Sequence, residues 1–164
     1  MPENAGTYQL RRFTPSYEAL GVVIEYIGRQ PPFDQYRVGK LLAALKHQIA
    51  HGHHVCAFRN ETLVGYCGWL PITEELGRLW LEDKAELAPV PAEHSDAFAV
   101  TVVRGENPDV VRAIIRATRR QTAGQRAFFR RDYASETRSA RLQSVLNFSL
   151  AEPGLGRGLG QSDG

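Results

Sequence analysis

Four arginines, Arg112, Arg116, Arg119 and Arg120, fall in one stretch at spacings that put the first three on one helical face with the fourth beside them. Guanidinium groups so arranged grip carboxylates and phosphates through forked hydrogen bonds. The face therefore suits an acidic protein or a phosphate-bearing cofactor, against the plainer reading of a solvated helix surface. Arg126, Arg130 and Arg131 follow on the next segment. Just upstream, Arg104-Gly105-Glu106-Asn107 joins an apolar run to that helix. A turn so placed offers backbone N–H groups and a helix N-terminus to an anion or a carbonyl oxygen. His94 stands in the loop entering the same run, in position for a general base, although lone loop histidines more often serve structure. His47, His51, His53 and His54 gather near Cys56. His54 and Cys56 share a strand face by alternation, and Cys67 would join them around a zinc ion. Neither Cys-x-x-Cys nor His-Glu-x-x-His spacing occurs, so no metal is expected.

The elements that would hold these groups are legible from periodicity and punctuation. His53 to Pro71 reads as a β-hairpin, two runs rich in Val, Phe, Tyr and Trp split by Arg59-Asn60-Glu61-Thr62. With Glu61-Thr62 as its loop, Cys56 faces Cys67 and Phe58 faces Gly65. Residues 7–12 suit a short edge strand. Thr14-Pro15 looks like the start of a helix ending near Gly28, and a second helix runs from about Tyr36 to His51, stopped by Gly52. Residues 72–87 read equally as helix or strand. Ala97 to Val103 is a buried-type strand, Asn107-Pro108 caps a helix that Gly124 ends, and 125–132 is another strand.

Length and composition bound the rest. A chain of 164 residues, 43% hydrophobic and 23% charged, fits one soluble domain with a real core. Its apolar runs are too short for a membrane span, and the opening MPENAGTYQLRR lacks the apolar core of a signal peptide, so the cytoplasm is expected. Two cysteines make no disulfide framework. The net charge of +2 hides an asymmetry, because residues 104–141 alone sum to +6 and the remainder to −4. That points to an acidic partner. The modest total and the lack of a binding motif argue against nucleic acid. The glycine-rich end, residues 153–164, reads as a disordered tail, and its Gly-x-Gly spacings lack the strand and helix of a phosphate loop.

Several weak motifs in a fixed order resemble the RTX-toxin-activating lysine acyltransferases of the hemolysin-activator type, a branch with the GNAT acyltransferase fold. They are Leu20-Gly21, Pro32-Phe33-Asp34, Val64-Gly65-Tyr66-Cys67-Gly68-Trp69, the run 97–104, Arg126-Ala127-Phe128 and Arg130-Arg131-Asp132. The resemblance spans about residues 18–147. It implies a single α/β (α+β) domain over residues 1–152, with a mixed, largely antiparallel sheet flanked by helices. It also implies transfer of a fatty acyl group from an acyl thioester, on acyl carrier protein or coenzyme A, to a lysine or similar amine of a protein or peptide. A homodimer is the state the family suggests. The family's catalytic histidine matches Asp34 here, and its catalytic aspartate falls at Val100 and Thr101. Asp34 would act as a base only if burial raised its pKa, which leaves His94 as its rival. On this reading Thr101, Val102, Val103, Arg104 and Gly105 meet the thioester. Arg112, Arg116, Arg119 and Arg120 dock the donor's acidic or phosphate-bearing part. The rival reading is an inactive module of the same fold that binds acyl carrier protein or another acidic partner.

Overall fold

A computed structural model of the protein describes residues 7–131 and 142–147. Polar caps and glycines set most boundaries. The side chain of Ser16 accepts from the Ala19 N–H and starts α1 (Tyr17–Gly28), two residues after the Thr14-Pro15 start expected from sequence. α2 (Val38–His51) ends at Gly52 in the left-handed conformation. Between them lies a short 3-10 turn, Phe33–Gln35. Residues 72–87 resolve into α3 (Glu74–Leu81), because Thr73 caps the Leu76 N–H and Leu76, Trp80 and Leu81 pack on the sheet. α4 (Pro108–Gln121) is capped by Asn107, whose side chain accepts from the Val110 N–H.

The strands are β1 (Gln9–Arg11), β2 (His54–Arg59), β3 (Thr62–Ile72), β4 (Ala97–Gly105), β5 (Arg126–Arg131) and β6 (Leu142–Asn147). They form one six-stranded sheet in sequence order, antiparallel throughout except for the parallel pair β4–β5. This is the mixed, largely antiparallel α+β architecture expected. β6 was not anticipated, and the glycine-rich tail lies outside the described residues.

The hairpin register corrects one expectation. Asn60 and Glu61 form its loop, with φ of 47° and 61°. A β-branched residue resists positive φ, so Thr62 stays in the strand rather than the turn. That loop moves the partner of Phe58 by two, and a β-bulge between Ala57 and Phe58 takes one residue back, so the pairs beyond it are displaced by one. Cys56 faces Tyr66, Val55 faces Cys67, and Phe58 faces Leu63. Side chains alternate, so Cys67 falls on the sheet face opposite Cys56 and His54, and the three cannot share a metal.

Two layers of helix cover the sheet. α1 and α2 bury Val23, Ile27, Leu45 and Ile49 against Cys56, Phe58, Tyr66 and Val102. α3 covers the same face further along, over Leu70, Ile72, Ala99 and Phe128. Among the described residues, α4 is the helix on the other face, setting Val110 and Ile114 on Val55, Ala57, Cys67 and Val100. Each fully buried Ile or Leu contributes roughly 1.5–3 kcal/mol relative to exposure. No helix among the described residues is long and apolar enough to cross a membrane.

Candidate active site

The sheet opens in its middle. β4 and β5 pair from Ala97–Arg126 to Val100–Phe129, and the pairing goes no further, although β4 stays paired with β3 as far as Gly105. At the parting point Gly68 pairs with Val102 while Trp69 pairs with Val100, so Thr101 is the extra residue of a β-bulge. Bulges of this kind bend a strand away from its neighbour and re-aim a side chain. The result is a cleft of about 510 Å³, within the usual range of small-molecule sites.

Its lining comes from both faces of the sheet, so the cleft passes through the gap. On the α4 side the walls are Cys67, Val100, Val103, Val111, Ile115, Thr118, Ala127 and Phe129. The Thr118 hydroxyl donates to the Ile114 carbonyl, leaving this half chemically apolar. On the other side stand Thr101, Arg104 and Arg130, rimmed by Pro31, Pro32, Phe33 and Tyr36. Arg104 donates to Gln30 at 2.7 Å. Arg130 pairs with Asp83 at 2.8 Å and reaches the Trp80 carbonyl at 3.2 Å.

Thr101 is held by a buried polar chain. Gln48 Nε2 donates to Thr101 Oγ1 at 2.7 Å, and Tyr66 Oη donates to Gln48 Oε1 at 2.9 Å. Gln48, Tyr66 and His54 are all at 0% exposure. The Gln48 carbonyl is itself pinned by the Gly52 and His53 N–H groups and by His54 Nδ1. His54 Nε2 accepts from the Phe13 N–H, which fixes the proton on Nδ1. Burial, outweighing the bond to Gln48, lowers the His54 pKa and keeps this ring neutral. Gly68 makes room for the chain, because a Cβ there would lie 2.0 Å from Gln48 Oε1. Gly68→Ala is therefore expected to lower stability by about 1–3 kcal/mol through overpacking, read from the urea midpoint.

The expected site residues separate into two groups. Thr101, Val103, Arg104 and Gly105 line the cleft, whereas Val102 points into the core beneath α1 and α2. Asp34 is exposed on its turn and outside the lining set, although Phe33 and Tyr36 belong to it. The burial that a base at Asp34 would need is absent. His94 is exposed at the far end of β4, before Ala97. Arg112 and Arg116 edge a second, polar groove of about 310 Å³ with Tyr8, Arg59 and Asn107, and Arg119 and Arg120 lie beyond it in the last turn of α4. Gln48 is a member that the sequence reading did not single out, and Tyr66 and Arg130 were named there without a role in the cleft. Gln48 had a signal, since it continues the buried stripe of Leu41 and Leu45 with a polar side chain.

Some of the donors in the turn before α4 are already occupied. The Glu106 N–H bonds to the Val64 carbonyl at 2.9 Å, Asn107 caps Val110, and Pro108 has no N–H. Glu106 pairs with Arg59, and Asp109 with Arg112. Cys56 and Cys67 are both free thiols, and burial pushes each pKa up to about 12. Neither is suited to act as a nucleophile at neutral pH.

The remaining histidines cluster at the end of α2, with ring centroids 4.2 Å apart for the stacked pair His47–His51 and 5.5 Å for the tilted pair His47–His53. Among the described residues no group of three or more His, Cys, Asp or Glu is disposed to hold a metal. His47 Nε2 and His53 Nδ1 are buried without hydrogen-bond partners. Burial first, then the neighbouring His51 and His53, push the His47 pKa down from 6.5 to about 4. The unfolded chain takes up this proton near pH 6.5 and the folded protein only near 4. Stability present above pH 6.5 is therefore lost as the pH falls toward 4. Between pH 7 and 5 the urea midpoint is expected to drop, and His47→Gln should lessen that drop.

No family model and no curated protein matches the sequence. Solved structures do. The loading GNATL domain of CurA from Lyngbya majuscula superposes with a TM-score of 0.55 at 12% identity, over 76% of this chain and 65% of that one. The chain thus spans a little under two thirds of that structure. Mosquito arylalkylamine N-acetyltransferase like 5b gives a TM-score of 0.52 at 11% identity, over 76% of each chain. The protein has a GNAT-like fold. Identities this low carry the fold and not a reaction.

Proposed function

We propose that the protein is an acyltransferase, moving an acyl group from a thioester to an amine of a protein or peptide. One observation carries the reading: β4 and β5 part beside the Thr101 bulge and open a cleft with one polar and one apolar half. A thioester has that polarity, with a carbonyl at the Thr101 side and an alkyl chain, fatty by the family resemblance, on the apolar side. The amine nitrogen attacks the carbonyl carbon and forms the C–N bond. The tetrahedral intermediate then expels the thiolate, and the proton lost by nitrogen ends on that sulfur. Oxyanion stabilisation falls to the Thr101 hydroxyl and to β4 N–H groups past Val100 that no longer pair with β5.

No carboxylate or imidazole lines the cleft among the described residues. Arg104 and Arg130 do; Asp83 offsets the charge of Arg130, and the Arg104 cation beside an incoming ammonium favours its neutral form. Arg104 stands in for a base by lowering the pKa of the amine, which releases its proton through water. Of the two donors, the carrier protein fits better than coenzyme A. Glu106 and Asp109 flank the turn where a diphosphate would sit, while the outer face of α4 offers arginines to an acidic carrier.

The test is to mix the protein with acyl carrier protein thioesters or acyl-CoA and a lysine-rich peptide, and to look for the acyl mass on the peptide. An inactive binding module is the second reading, favoured by the lack of a base in the cleft. Tight thioester binding without any transfer would establish it.

A further inference from the structure

We infer that Gln48 and Tyr66 are positioning residues that fix the Thr101 hydroxyl as a hydrogen-bond donor directed at the carbonyl oxygen of a thioester in the cleft. The inference rests on the thioester reading above and adds to it the direction of one proton.

A hydroxyl both donates and accepts, so its chemical role depends on its other partners. Thr101 Oγ1 accepts a short bond, 2.7 Å, from Gln48 Nε2. Among the described residues its own hydrogen meets the Gly68 carbonyl at 3.4 Å, a poor bond. That hydrogen is therefore available to a better acceptor arriving in the cleft, while its oxygen is already committed.

The direction depends on which way the Gln48 amide faces, and Tyr66 decides that. Its O–H is fully buried and donates to Gln48 Oε1 at 2.9 Å. Turning the amide over would aim an N–H at this O–H and leave the buried phenol proton without its acceptor, a costly arrangement. The phenol thus orients the amide, and the amide orients the hydroxyl. The backbone of Gln48 is held as well, by the His54 ring and two N–H groups on its carbonyl.

A structural role alone would not call for this arrangement. Gln48 lies on the apolar stripe of α2 with Leu41, Leu45 and Ile49, where a leucine or methionine would pack. Position 68 must also be glycine to admit its amide. The device ends at Thr101, the bulged residue beside the opening in the sheet.

The probe is S-octanoyl pantetheine labelled with 13C at the thioester carbonyl, read by infrared difference spectroscopy on the bound complex. The wild-type protein is expected to shift the carbonyl band to lower frequency, and Gln48→Met to abolish the shift while still binding the probe. Tyr66→Phe, which frees the amide to adopt both orientations, should give two bands. Gln48→Glu is the sharper variant. Protonated, the introduced carboxyl donates to Thr101 as the amide does. Ionised, it accepts the Thr101 proton and turns it away from the ligand. The low-frequency band and the transfer rate should therefore both return as pH falls, with kcat lost on the order of tenfold at high pH and KM unchanged. Thermal melts of the same variants show that each is folded. Probe bound by every variant with one unchanged band overturns the inference and leaves the thioester reading standing. Failure of the wild type to bind any thioester overturns both.

Discussion

Thr101→Val is expected to lower kcat for acyl transfer by about 10²–10³, with little change in KM for the donor. Valine keeps the volume and β-branching that suit a strand and removes only the hydroxyl. The ground-state carbonyl of a thioester is a weak acceptor, whereas the tetrahedral oxyanion is a strong one. A donor at this position therefore acts mostly on the transition state. The substitution also leaves Gln48 Nε2 without its acceptor in a fully buried setting, which costs about 1–3 kcal/mol of stability. That loss is separable, because it shows in the urea midpoint and in Thr101→Val alone. Thr101→Ser keeps the hydroxyl and should keep most of the rate. Equal activity in the valine and wild-type proteins, measured with the same acyl thioester and peptide, would place the oxyanion elsewhere in the cleft.

What the sequence disclosed, and what it hid, follows from how local each determinant is. The ends of α2 and α4 were readable because Gly52 and Asn107 act on their own neighbours. The hairpin was readable as a hairpin, but its loop takes Asn60 rather than Thr62 beside Glu61, and a bulge between Ala57 and Phe58 reverses the face of Cys67. The penalty on positive φ for a β-branched residue decides the loop, but that change moves the pairs by two and keeps Cys56 and Cys67 on one face; the bulge between Ala57 and Phe58 is what separates them. The Thr101 bulge could not be read at all. It exists because β4 must follow β3 on one side and leave β5 on the other, a balance set by three strands distant in sequence. Family resemblance brought attention to Thr101 by position. The packing of Gln48 across 53 residues gives it its short hydrogen bond. Asp34 shows the converse, since a matching position in the chain came out on an exposed turn.

Reversing the α4 face is expected to separate the two kinds of donor. A protein carrying Arg112→Glu, Arg116→Glu, Arg119→Glu and Arg120→Glu should show a rise in KM of roughly 10–100-fold toward donors on an acidic carrier protein, with kcat nearly unchanged. The same protein should use S-octanoyl pantetheine as well as the wild type does, because none of the four side chains lines the cleft. The fold should survive the change. α4 is anchored by Val110, Ile114 and Thr118, all buried, while the four arginines are exposed. The Arg112–Asp109 pair lost with the change is an exposed i,i+3 contact of little worth to stability. Salt gives a second reading of the same effect. Docking through exposed charges weakens as the Debye length falls from about 10 Å at 0.1 M to about 3 Å at 1 M. The wild-type KM for the carrier should therefore climb steeply with salt and the variant's should not. If both donors suffer alike, the arginines do not serve a carrier, and α4 contributes only the apolar wall of the cleft.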